Sequence, residues 1–364
     1  MVLVAPGQME LQHLPVPDVG AHDALLRIDA CGVCGSDVAR FGDASWAGFP
    51  AIIGHEIVGT IERIGTAAAA RRGLDPGDRV VVEEPITCGS CGPCLDGRHR
   101  LCDRRERFGD RSVHDGPGLW GGFAERLFVP PGAVLHKVPG GVSVDLAVRF
   151  IPAANGMSWM TAAQVGPRDD VVVLGPGQNG LATVVAARHL GARTVSVVGR
   201  DQDRHRLERA VQAGAGRTAT ITSPSELADR MVDLTGGAGP SVVIDLVPGD
   251  PTTISAAVQT LRPGGRLLLA GAKRGTHVDG LDSDLIFRKE LTIRGVSHRE
   301  SWAIGVVLDL MARAPHLYEA LHGPSFPLER VADAIAALSG AGPDPAVHAH
   351  VLATGSTPTG GRDR

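Results

Sequence analysis

Four cysteines, Cys88, Cys91, Cys94 and Cys102, stand in the run CGSCGPCLDGRHRLC with the spacing C-x2-C-x2-C-x7-C. Such short gaps let one loop fold around a single ion. Four thiolates fill a tetrahedral shell and leave no open position, so the chemistry offered is a structural zinc site. An iron–sulfur cluster uses the same ligand type, although the last gap is longer than the ferredoxin run. The other two cysteines are Cys31 and Cys34, and none occurs in the last 262 residues. Without a secretion signal, that clustering reads as metal ligation rather than disulfide stapling.

A second chemistry-bearing run is GPGQNG, in which Gly175, Gly177 and Gly180 form G-x-G-x-x-G, with Gln178 and Asn179 between the last two glycines. It follows the apolar run VVVLG and opens a helical pattern. In that setting the glycines make a tight turn, let the backbone approach a pyrophosphate and let the helix pack closely, with the phosphates at the positive helix N-terminus. The next apolar run, TVSVV, ends in Gly199 and Arg200. Glycine then arginine leaves room and charge for a 2′-phosphate, which favours NADP over NAD. Asp201 and Asp203 lie close enough to serve the ribose hydroxyl of NAD instead.

These residues need two kinds of scaffold. At 364 residues the chain exceeds what one core usually fills, and 43% apolar with 21% charged residues is ordinary globular usage. A net charge of -4 without long basic blocks gives nucleic acid or an anionic membrane no handle, so small molecules are the expected ligands. No leader or membrane-spanning run is evident, and the cytoplasm is the expected location. The first 150 residues read as short strands broken by Gly, Pro and Asp, the pattern of a compact barrel. From Asp170 the runs DVVVLG, TVSVVG, RTATI, SVVIDLV, RLLLAG and LTIRGV alternate with helical segments. Six apolar strands joined by helices require parallel crossovers, hence an α/β doubly wound sheet. The stretch SVDLAVRFIPAANGMSWMTAAQV bridges the two parts, and the tail TGSTPTGGRDR is expected to be disordered.

Together with CGVCGSD, GHEIVG, GDRVVVE and GGFAE, these motifs resemble, in order and over nearly the whole chain, the medium-chain dehydrogenase/reductase family of the zinc alcohol dehydrogenase type. The resemblance implies a GroES-like β-barrel catalytic domain at 1–152 and a Rossmann NAD(P)-binding domain at 153–296. A C-terminal segment at 297–364 completes the catalytic domain and carries the disordered tail from about residue 355. By position it implies Cys34 and His55 as catalytic zinc ligands, Glu56 as the neighbouring acid able to approach the metal, Ser36 as the hydroxyl that passes the substrate proton, and Asp37 as the carboxylate that orients His55. The implied activity is hydride transfer between nicotinamide C4 and an alcohol, ketone or aldehyde, with zinc as Lewis acid.

Two positions depart from the family pattern. Its third ligand, a Cys, Asp or Glu, falls at Phe150 or Ile151, with Asp145 and Asn155 the nearest alternatives. Where many relatives carry a relay histidine after the serine, this chain reads Asp37, Val38, Ala39, Arg40. These gaps keep open a reductase of activated C=C or C=N bonds with a weak or absent catalytic zinc, and a non-catalytic cofactor-binding sensor. Trp46, Phe49, Trp120, Phe150 and Trp159 suggest an apolar substrate, core packing being the alternative for each. A homodimer or homotetramer is expected from the resemblance.

Overall fold

The computed structural model describes residues 1–342 and 345–353; the tail expected to be disordered lies outside them. The chain separates into two compact units. The first comprises Met1–Phe150, Leu308–Arg313 and the described residues from His322 onward; the second comprises Ile151–Val307 and Ala314–Leu321.

The first unit is β-rich. A small hairpin joins β1 (Val2–Ala5) and β2 (Gln8–Glu10). The main sheet takes β3 (Ala24–Gly32), β4 (Glu56–Ile64), β5 (Arg79–Ile86), β6 (Glu106–Arg107), β7 (Arg126–Val129) and β8 (Ala133–Lys137) from the N-terminal part. The C-terminal segment returns to contribute strands to it, numbered after those of the second unit. Leu25, Leu26, Ile28, Ile57, Phe108, Phe123 and Leu127 fill the interior and are fully buried. Their burial removes apolar surface from water, the main force closing the sheet on itself.

The second unit is a six-stranded parallel sheet of β9 (Asp170–Leu174), β10 (Thr194–Arg200), β11 (Arg217–Ile221), β12 (Val242–Asp245), β13 (Arg266–Leu269) and β14 (Thr292–Gly295). Its spatial order is β11-β10-β9-β12-β13-β14, the doubly wound order whose crevice lies where the winding reverses at β9. All six strands expected from the apolar runs are present. β9 and β12 are buried along their whole length, which is why they read as unbroken Val, Leu and Ile runs. Helices Gln178–His189, Arg204–Gln212, Leu227–Leu234, Thr252–Thr260 and Ser283–Arg288 lie in the five crossovers.

β15 (Ser325–Pro327) and β16 (His350–Leu352) belong to the first unit. β16 pairs antiparallel with β3, setting His350 opposite Gly32. On its other side β3 sets the same Gly32 opposite Glu56 of β4. Partners in register carry their side chains on one face, so Glu56 and His350 flank a position without a side chain. A Cβ at Gly32 would fall 2.5 Å from Glu56 Oε2, so the glycine makes the space that the carboxylate occupies.

Candidate functional site

Cys34 closes the loop after β3 and caps the helix Gly35–Gly42. The Asp37 carboxylate reaches back to accept a hydrogen bond from the Cys34 amide at 2.9 Å, the reciprocal arrangement of a capping box. The other Asp37 oxygen lies 3.4 Å from His55 Nδ1. One buried carboxylate thus fixes both the loop bearing the thiol and the imidazole, and leaves His55 Nε2 as the free coordinating atom. Arg40 anchors Asp37 from the far side at 3.8 Å and pairs with Asp110 at 2.5 Å. This arginine, in the stretch where relatives place a relay histidine, is therefore a structural cation.

The donor atoms of Cys34, His55 and Glu56 lie within 4.8 Å of one another, and His55 and Glu56 are buried. Burial works against charge on His55, but Asp37 and Cys34 outweigh it and push its pKa up to about 10. Burial likewise raises Asp37, yet His55, the Cys34 amide and Arg40 prevail and hold it below its ordinary value. The pocket therefore attracts positive charge, and a thiol, an imidazole and a carboxylate so placed are a fitting donor set for a zinc ion. Ser36 beside them has a buried Oγ without a hydrogen-bond partner among the described residues.

The expected alternatives for a third ligand are engaged elsewhere. Phe150 and Ile151 are buried apolar side chains. Asp145 pairs with Arg149 at 2.8 Å, His322 at 3.3 Å and His350 at 3.5 Å. Asn155 donates to Asn179 Oδ1 at 3.0 Å. Three of the aromatic residues are core: Phe150 and Trp159 are buried, and Trp120 is buried with Arg111 stacked 3.8 Å from its ring centre. Trp46 and Phe49 form a half-buried edge-on pair at 5.0 Å.

In the cysteine lobe, the four sulfurs of Cys88, Cys91, Cys94 and Cys102 lie within 4.8 Å of one another, with Cys88–Cys94 at 4.0 Å and Cys88–Cys102 at 3.5 Å. Metal–sulfur bonds of about 2.3 Å in a tetrahedron require sulfur separations of about 3.8 Å. The Ser90 and Cys91 amides draw the Cys88 pKa down to about 5, while burial and the neighbouring thiols push Cys94 up to about 12. Four thiols that cannot all ionise alone fit a divalent cation between them.

In the second unit, Gly175 has φ +101°, open only to glycine, and a Cβ on Gly180 would fall 2.1 Å from the Gly175 carbonyl oxygen. Gly177 caps the helix with φ -73°, which any residue adopts, and a Cβ there would meet no protein atom. Two glycines are therefore demanded by the chain itself and the third leaves a cradle in front of a helix N-terminus, a fit for pyrophosphate. At the end of β10, Asp203 accepts from the Arg200 amide at 3.0 Å and faces Arg206 at 3.5 Å, and Asp201 binds Arg204 at 2.8 Å. The Arg200 guanidinium is mostly exposed, 3.7 Å from Asp250. Gly199 packs under Pro176, to which a Cβ would come within 3.0 Å.

The sequence reading missed the buried His348 and His350. Their alternation in HAH, leading into a strand, is the signal that sets both on one face. Burial, with Arg149 and His322 adding to it against Asp145, pulls the His350 pKa down to about 4. In the unfolded chain it titrates near 6.5, so between those values the unfolded state carries the extra proton. Stability is then full above about pH 6.5 and falls by about 1.4 kcal/mol per pH unit as the solution is acidified toward pH 4. Denaturant unfolding at pH 7 and pH 5 is expected to show this loss, reduced in His350→Gln; an identical acid loss in the variant would reject the assignment.

Comparison with known proteins places these features. Residues 20–140 match the alcohol dehydrogenase GroES-like domain and residues 180–313 the zinc-binding dehydrogenase model. A probable alcohol dehydrogenase of Mycobacterium tuberculosis (strain CDC 1551 / Oshkosh) is 34% identical over 348 residues, covering 93% of this chain and 94% of that protein. L-threonine 3-dehydrogenase of Anaeromyxobacter dehalogenans (strain 2CP-C) is 32% identical over 298 residues, 80% of this chain and 81% of that one. Among solved structures, an Escherichia coli CFT073 alcohol dehydrogenase complexed with NADH superposes with TM-score 0.83 at 25% identity, over 96% of this chain and 98% of that one. The barrel, the doubly wound sheet and these matches agree: the chain is an oxidoreductase that belongs to the zinc-dependent medium-chain dehydrogenase/reductase family.

Proposed function

We propose that this enzyme interconverts a secondary alcohol with its ketone, or an alcohol with its aldehyde, using a nicotinamide cofactor and a zinc ion held by Cys34, His55 and Glu56. The observation that carries the reading is that these three donors lie within 4.8 Å of one another, with a buried carboxylate, Asp37, beside the imidazole to orient it. Cys88, Cys91, Cys94 and Cys102 are assigned to a second, structural zinc. The catalytic part, expected at 1–152 and from 297, is assigned to the first unit and the cofactor-binding part, expected at 153–296, to the second; the compact units differ from those expected bounds in that residues 297–307 and 314–321 fall in the second.

When bound, zinc would supply Lewis acidity at the substrate oxygen and a nicotinamide cofactor would supply the hydride chemistry. The chain's own residues do the rest. Asp37 holds the His55 ring, and the Ser36 hydroxyl accepts or returns the substrate proton. Gly175, Gly177, Gln178, Asn179 and Gly180 form the pyrophosphate cradle. NADP(H) is the assigned cofactor form, because Asp203 is turned to the Arg200 amide while the Arg200 side chain stays exposed. Arg200→Ala is expected to weaken NADPH by about tenfold and NADH by less than about twofold, the value of one exposed charge contact. Fluorescence titration checks this, and equal losses reject the assignment.

Trp46 and Phe49 make an apolar substrate the expected one. A second copy of the chain is the proposed partner: β14 is the last strand of its sheet and exposed along its length, with Phe287 and Trp302 also exposed. Among the described residues no helix is long and apolar enough to cross a membrane.

A second reading rests on Phe150 and Ile151, which offer no ligand. In that case the metal at Cys34 is weak and the enzyme reduces an activated C=C or C=N bond. Metal analysis of purified protein with a panel of ketones, aldehydes and enals separates the two. Two zincs per chain with ketone turnover support the first, and one zinc with enal turnover supports the second.

A further inference from the structure

His348 is a buried group to which the roles above give no task. It lies just ahead of β16, fully buried, and neither ring nitrogen has a hydrogen-bond partner among the described residues. Two unsatisfied imidazole nitrogens carry a desolvation cost that a fold rarely keeps without return. The backbone on either side is pinned. The Ala349 carbonyl accepts from the Val33 amide at 2.8 Å. A Cβ on Gly323 would come within 1.6 Å of the His348 carbonyl oxygen, so only glycine passes there. An imidazole carries at least one N–H in either protonation state, so the ring has a hydrogen bond to give.

What His348 faces is Glu56, with Nε2 4.0 Å from Oε2. Glu56 is the donor on which the metal reading most depends, because Phe150 and Ile151 bring no third ligand and Asp145 is committed to Arg149, His322 and His350. A glutamate has two equivalent oxygens and a rotatable arm, and fixing one oxygen reserves the other. We propose that His348 is a positioning residue for the metal centre, donating its Nε2–H to Oε2 of Glu56 so that the remaining oxygen joins Cys34 and His55 in holding the ion. Closing the gap to a hydrogen bond needs a side-chain movement of about 1 Å. The inference rests on the metal reading of Cys34, His55 and Glu56.

The test is zinc content after dialysis against graded free zinc, for wild type and for His348→Ala, His348→Gln and His348→Asn, with circular dichroism to confirm folding. The binding step that Cys34→Ser abolishes is expected to move to about 10–100-fold higher free zinc in His348→Ala, and to stay within about threefold in His348→Gln, whose amide reaches as far as Nε2. His348→Asn, too short to reach, should behave like the alanine variant. In a Glu56→Gln background, His348→Ala should add nothing further. A folded His348→Ala with unchanged zinc affinity, or the same loss with and without Glu56, overturns the proposal while leaving the metal reading intact. If the alanine variant fails to fold, equal affinities for the Gln and Asn variants overturn it. Wild-type protein holding only the zinc of the cysteine lobe overturns both.

Discussion

Changing Cys34 to Ser is expected to cost roughly a thousandfold in kcat/KM, the equivalent of about 4 kcal/mol of lost stabilisation of developing charge. A serine hydroxyl is not ionised near neutral pH and does not replace a thiolate as a zinc ligand. The same variant should lose one of two zincs per chain, while the cysteine lobe keeps its own. Cys34 is only half-buried and the helix it caps retains the bond from its amide to Asp37, so the melting temperature should move little. Steady-state kinetics with a secondary alcohol, beside metal analysis, decide the matter. A loss smaller than about tenfold would mean that the ion at Cys34 is not used in the reaction.

The second large effect separates the demands of the fold from those of the ligand within one turn. Gly177→Val keeps a backbone angle that valine tolerates and places its side chain where no protein atom stands. The variant should therefore fold with unchanged stability yet bind NADPH or NADH at least about 100-fold more weakly, about 2.7 kcal/mol, because the side chain fills the pyrophosphate cradle. Gly180→Ala does the reverse chemistry: its new methyl would sit 2.1 Å from the Gly175 carbonyl oxygen, so the strain falls on the fold itself. It should destabilise by about 1–3 kcal/mol or more. Thermal unfolding and isothermal titration of the two variants test the contrast, and tight coenzyme binding by Gly177→Val would sink the assignment of the turn.

The parallel sheet was legible because each of its strands is a local signal. VVVL, VSVV and VVI are buried on both faces, and burial on both faces writes itself as a mainly apolar run. The glycine-rich turn was legible for the same reason, since its strand, glycines and helix are contiguous. The barrel was less so. β6 spans only Glu106–Arg107 and β15 only Ser325–Pro327, too short for any alternation to show. The candidate metal pocket is non-local: Cys34, His55 with Glu56, and His348 come from distant segments, joined only when β3 pairs with β4 on one side and β16 on the other. Motif matching reached the first three residues, but nothing local in the HAH run announces that it faces Glu56. Trp120, Phe150 and Trp159 were open to either reading because a bulky side chain looks the same in a chain whether it lines a cleft or fills a core.

β16 has a consequence for how the molecule is made. The parallel-sheet unit from Ile151 to Val307 is nearly continuous in the chain, whereas the barrel receives a strand from residues close to the other end. During synthesis the ribosome finishes most of the parallel-sheet unit first, while the Ala30–Gly32 edge of β3 waits, uncovered, for a strand not yet translated. A nascent chain arrested before residue 345 should therefore resist protease across its middle and be cut readily near its beginning.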